Sequence, residues 1–168
     1  MIDDRRSEVR IKGNAVRLGL DIDHLEPAEV APVDLAESDA REESLRTAAP
    51  ALPSAWLSMR GIAVALATDS QPYDLVVTLP DGIKRVQVKT TTSRRDSTWL
   101  AGVGHRPYSG DAREGKLPYD PASLDPFAII NGDGEIDLVP VGAIAGRTGI
   151  YLSAYERYRV GDVSSLMS

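Results

Sequence analysis

The sequence predicts an α/β fold, and three observations predict it. A proline-interrupted helical stripe over residues 42–59 precedes three segments rich in β-formers. Two of those segments close a tight hairpin through Asp81-Gly82, and a second hairpin turns at Gly132-Asp133-Gly134. The 168 residues suffice for one domain with a sizeable core and a modest appendage.

Each element has its own local reason. Residues 5–19 carry a mixed helical pattern, with Val9, Lys12, Val16 and Leu20 three or four apart, weakened by Gly13 and Asn14. The acidic stretch 26–43, with Pro27 and Pro32, reads as a linker with little to bury. Residues 1–43 therefore form a short helical segment plus linker, and residues 44–168 the core domain. Leu45, Ala49, Leu52, Trp56 and Met59 make the helical stripe, which breaks before Pro50 or restarts with proline in a first turn; Gly61 ends it. Strands are expected at 62–67, 73–79 and 83–92. In the last, a period of two puts Gln87 and Lys89 on one face and Val86 and Val88 on the other. Beyond Trp99 the chain is Gly-, Pro- and Arg-rich, a long surface loop or ragged strand. Segments 127–131 and 135–139 flank the second hairpin turn, 141–145 is a one-turn helix or loop, and the tyrosine-rich tail from Ile150 packs against the sheet or leaves a tyrosine exposed to stack on a base.

Composition excludes several classes. No apolar run approaches the roughly 20 residues of a membrane helix, and the first ten residues are too acidic and polar for a secretory signal. With no cysteine there is no disulfide framework, so oxygen atoms or one of two histidines must hold any metal. These features fit a cytoplasmic protein. Net charge is −6, yet residues 82–116 sum to +5 and residues 20–43 to −8. Such asymmetry lets an acidic chain present one positive face to a polyanion; the bland alternative is two solvated surfaces.

Asp74, Gln87, Val88 and Lys89 are the chemical candidates. Phosphodiester hydrolysis needs oxygen ligands for a hard divalent cation, a water held near it and a cation beside that water. Asp74 opens one strand. On the next, Gln87 offers a side-chain oxygen, Val88 a carbonyl, and Lys89 an ammonium on the same face as Gln87. Alone this spacing is weak, because Asp74 also reads as a strand-end residue and Lys89 as a solvated one. A basic run supports it: Arg94, Arg95, Arg106, Arg113 and Lys116 would line the approach where phosphates lie. Arg85 belongs to the same set but sits near the hairpin turn.

Pro72-Tyr73-Asp74-Leu75-Val76-Val77 followed by Arg85-Val86-Gln87-Val88-Lys89-Thr90-Thr91 resembles the PD-(D/E)xK nuclease superfamily, nearest its group I intron-associated homing endonucleases, where glutamine replaces the usual glutamate. Tyr119-Asp120-Pro121, the run from Asp125 to Ile130 and Leu138-Val139-Pro140-Val141 look like that branch's carboxy-terminal half. The resemblance implies a restriction-endonuclease-like core, a mixed β-sheet flanked by helices, with a double-stranded DNA substrate, Mg²⁺ (or Mn²⁺) and, in intron-encoded members, a homo-oligomer. The chain departs from the family in one respect. The family's first helix supplies a glutamate about 25 residues before the strand aspartate, and that count reaches Ala49 and Pro50 here. Glu42 and Glu43 lie six or seven residues earlier and compensate only if the helix is shifted or kinked. Residues 15–25 look like the tail of the small helical DNA-binding segments that precede such cores, where Arg10, Lys12 and Arg17 would touch phosphates. His24 reads as a packing or helix-end residue, and His105 as a phosphate contact.

Two functions follow. The first is a metal-dependent double-stranded DNA endonuclease, working alone or as a homodimer, in which Asp74, Gln87, Val88 and, if the helix is shifted, Glu43 serve the metal and Lys89 the water. The second is an inactive nuclease-fold DNA-binding protein, such as a phage-type repressor or transcriptional regulator.

Overall fold

The computed structural model describes residues 44–68, 71–106 and 115–163. The expected amino-terminal helix and linker, with Arg10, Lys12, Arg17, Glu42 and Glu43, lie outside the described residues, as does Arg113. Two short helices open the described chain, α1 (Leu45–Ala48) and α2 (Ala51–Ser58). Between them Ala49 and Pro50 keep right-handed helical angles, φ −47° and −70°. The break is thus one of hydrogen bonding, because proline has no N–H to return to the preceding turn. Gly61, at φ +75°, supplies the left-handed turn that leads the chain out.

Nine strands follow among the described residues: β1 (Ala63–Leu66), β2 (Leu75–Leu79), β3 (Gly82–Thr91), β4 (Arg94–Arg95), β5 (Thr98–Gly102), β6 (Pro126–Asn131), β7 (Glu135–Pro140), β8 (Gly149–Tyr151) and β9 (Arg159–Asp162). A one-turn helix, α3 (Val141–Ile144), follows β7, and a 3-10 helix, Leu152–Tyr158, joins β8 to β9. Six strands pair in the order β1-β2-β3-β6-β7-β9, and three more as β4-β5-β8. The β3–β6 pair is parallel and the rest are antiparallel, so the larger sheet is mixed.

Strand β6 shows why this sheet lies at the centre. Phe127 and Ile129 point to one face, where they pack with Trp99, Val139 and Leu152. Ala128 and Ile130 point to the other, against Trp56, Leu75 and Val88. Phe127, Ile129 and Ile130 are almost fully buried, each contributing roughly 1.5–3 kcal/mol through the apolar surface withdrawn from water. One face of the sheet is thus covered by α2, and the other by the small sheet and the 3-10 helix. Strand β5 runs on from Trp99 to Gly102, into the stretch expected as loop or ragged strand, because Trp99 and Ala101 alternate into the core.

The two hairpin turns are fixed differently. Gly82 takes φ +124°, open to glycine but strained for a side chain. At the second turn Asn131 Oδ1 accepts from the Asp133 and Glu135 N–H groups, both at 3.0 Å. Gly132 lies there under Trp99, where a Cβ would stand 2.7 Å from the indole Cη2.

Candidate functional site

Antiparallel pairing of Leu75 with Val86 carries Asp74 to the neighbourhood of Gln87 and Val88. The Asp74 N–H donates to the Val86 carbonyl at 2.9 Å, so the residue is anchored through its backbone. Its side chain then turns onto β3: Oδ2 accepts from the Val88 N–H at 2.7 Å and from the Gln87 side-chain amide. These are charge-assisted bonds, which fix the carboxylate at the rim of the sheet. Gln87 also donates to the Val88 carbonyl at 3.2 Å.

Lys89 stands two residues further along the strand. Its ammonium donates to the Tyr119 hydroxyl at 2.9 Å, and that hydroxyl donates to Gln87 Oε1 at 3.2 Å. The Tyr119 ring is held edge-on to Phe127 at 5.4 Å and tilted against His105 at 4.9 Å. Burial holds the Lys89 ammonium below the ordinary lysine range; the Asp74 carboxylate pulls it back up, and Lys116 pushes it down.

These groups open into one cleft of about 890 Å³, also lined by Arg46, Ala49, Pro50, Arg106 and Lys116. Asp74, Gln87, Val88 and Lys89 therefore share one cavity, as do Arg106 and Lys116 from the basic run. Arg94, Arg95 and Arg85 are absent from its lining. Arg94 lies 4.9 Å over the Trp99 ring and 3.9 Å from Asp133, exposed Arg95 shares β4 with it, and Arg85 is tied to Asp125 and the Ala122 carbonyl. His105 is bridged through its backbone to Leu117 and packs its ring on Tyr119.

Two residues of the site are not evident in the sequence: Arg46, which lines the cleft, and Tyr119, which bonds Lys89 and Gln87 from beside it. Tyr119 was noted only within a motif, since nothing local ties residue 119 to Lys89. Arg46 had a usable signal: it precedes Pro50 by four, the spacing that stacks two side chains on one helical face.

The donor set fits a hard divalent cation in kind. A carboxylate and a main-chain carbonyl stand on neighbouring strands with the Gln87 side chain beside them. In charge it is thin. Asp74 is the one carboxylate lining the cleft among the described residues, which hold no group of three histidine, cysteine or acidic side chains suited to a metal. Ala49 and Pro50, the positions counted from the resemblance, face the cleft without an acid.

No protein-family model and no curated protein matches the chain. Among solved structures it is similar to a bacterial homing endonuclease, I-Ssp6803I, with a TM-score of 0.57 and 20% identity over 67% of this chain and 84% of that one. No described helix is long and apolar enough to cross a membrane. The mixed sheet, its flanking helices and this structural likeness together establish that the chain has a restriction-endonuclease-like core.

Proposed function

We propose that the cleft binds the backbone of double-stranded DNA and hydrolyses a phosphodiester with the help of Mg²⁺ or Mn²⁺. The observation that carries this reading is that Asp74 and Lys89 open into one cavity with Arg46, Arg106 and Lys116. Had the acid and the lysine faced opposite sides of the sheet, no single phosphate would meet both. The Asp74 carboxylate, the Val88 carbonyl and the Gln87 amide oxygen would hold the metal, the last after rotation of its amide. When bound, the metal would supply Lewis acidity and a more acidic water. The chain's own part is positioning. Lys89, tethered by Tyr119, holds a water or the charge that develops on the phosphoryl oxygens. Arg46, Arg106 and Lys116 neutralise the flanking phosphates. A palindromic target would engage two copies of the chain, and such work on DNA would proceed in the cytoplasm.

The test is incubation of the purified protein with supercoiled plasmid, with Mg²⁺, Mn²⁺ or chelator, beside Asp74→Ala and Lys89→Ala. Metal-dependent nicking that both variants lose supports cleavage. A second reading, a DNA-binding protein without cleavage such as a regulator, is favoured by Ala49, Pro50 and Arg46 on the helical wall of the cleft. It expects tight binding that chelator leaves intact, and no nick.

A further inference from the structure

Thr90, Gly102 and Lys116 line two cavities at once. The first is the Asp74–Lys89 cleft. The second, of about 490 Å³, runs on between the end of β3 and the β5–β8 pair. Hydroxyls make much of its wall, from Thr90, Thr92, Ser93 and Thr148, and Lys116 stands where the two cavities meet. Among the described residues lining the pair, Asp74 is the one carboxylate.

Resting on the DNA reading above, we propose that this second groove is the track along which the DNA strand leaves the cleft, with Lys116 seated on the phosphate between the two. Small residues set that lysine in place. A Cβ at Gly102 would stand 3.0 Å from the Lys116 ammonium, and one at Gly104 would stand 3.0 Å from Lys116 Cβ and 2.9 Å from Thr148 Cβ. The walls are tied together in advance. Thr91 Oγ1 donates to the Leu100 carbonyl at 2.6 Å, and the N–H groups of Val103 and Gly104 both donate to the Thr148 carbonyl, at 3.0 and 3.1 Å. Neutral hydroxyls flanking one cation suit a sugar–phosphate strand: they donate to successive phosphate oxygens without reading bases. A groove that adjoins a cationic cleft and brings no carboxylate of its own is continuous with it in electrostatic potential.

The experiment measures binding of the full chain to a labelled duplex in chelator, from about 50 to about 200 mM salt. Lys116→Met is expected to reduce the slope of log affinity against log salt by about 0.9, equally for unrelated sequences. Thr92→Val and Thr148→Val are expected to weaken binding about two- to tenfold each while leaving the slope unchanged. Lys84→Met, which removes a cation already paired with Asp81 at 2.9 Å, leaves slope and affinity as they were. Lys116 serves both readings, so the threonines decide: if the parent binds and both threonine variants match it in affinity, the track is refuted while the DNA reading stands. A parent that binds no duplex even at the lowest salt overturns the DNA reading, and the track with it.

Discussion

Replacing Pro50 by glutamate returns an acid to the helical wall of the cleft. Residues 44, 49 and 50 all hold right-handed helical angles, so glutamate is accommodated without backbone change. It also restores a backbone N–H that proline lacks, at the cap of α2 where its absence costs little. At an effective dielectric of about 20, one negative charge about 6 Å from a divalent cation is worth roughly 5 kcal/mol before desolvation. If desolvation of the new carboxylate cancels about three-quarters of that, metal affinity still rises about tenfold. Arg46, four residues earlier and also lining the cleft, would compete for the new carboxylate. The decisive protein is therefore Arg46→Gln/Pro50→Glu. Calorimetric titration with Mn²⁺ without DNA reads affinity, and plasmid nicking reads chemistry. Correctly folded variants that bind metal no better than the parent would refute the view that the cleft is a metal site short of one charge.

Three further outcomes are expected. Tyr119→Phe removes the hydroxyl that bridges Lys89 and Gln87 but keeps the ring against Phe127. It should slow nicking about tenfold with duplex affinity within about twofold; weaker binding at an unchanged rate would contradict the positioning role. Asp137 is wholly buried, neither carboxylate oxygen has a hydrogen-bond partner, and Arg159 lies 3.5 Å away. Burial raises its pKa, an effect Arg159 opposes. The ionised form is therefore disfavoured by folding, and stability contributed at this site increases as pH falls through the folded pKa toward the unfolded value of about 3.9. Urea midpoints compared with those of Asp137→Asn should show this acid-side gain in the parent alone; parallel profiles would rule it out. Gly132→Ala drives a methyl to 2.7 Å from Trp99 Cη2 and should cost about 1–3 kcal/mol in urea unfolding. An unchanged midpoint would mean the indole moves aside freely.

The β2–β3 hairpin was legible because its signals are local: β-formers on either side of Asp81-Gly82, and a period of two that sends Val86 and Val88 to the core. The break at Pro50 was legible for the same reason. Strands β5 and β8 were less so, since Leu100 pairs with Tyr151 across a long stretch of chain and each segment is short and glycine-bearing. Sequence proximity also misled. Arg94 and Arg95 follow β3 closely, but the chain reverses through Asp96 at φ +53° and takes Arg94 onto Trp99 and Asp133 instead of the cleft. Lys116 and Tyr119, far from Lys89 in sequence, are folded back to it by the His105–Leu117 bridge and by packing on Phe127.

Charge within the cleft orders its ligands. Arg46, Lys89, Arg106 and Lys116 face a single carboxylate, Asp74, so a divalent cation arriving alone meets net repulsion while a phosphate meets net attraction. A seated DNA phosphate would add one negative charge beside Asp74 and so lessen, without reversing, the repulsion a metal meets. Attraction for an anion is then the primary electrostatic property of this cleft. On the DNA reading proposed above, a metal would be held better after the substrate than before it, so the same residues would suit either a nuclease whose metal arrives with its DNA or a protein that grips DNA without cutting.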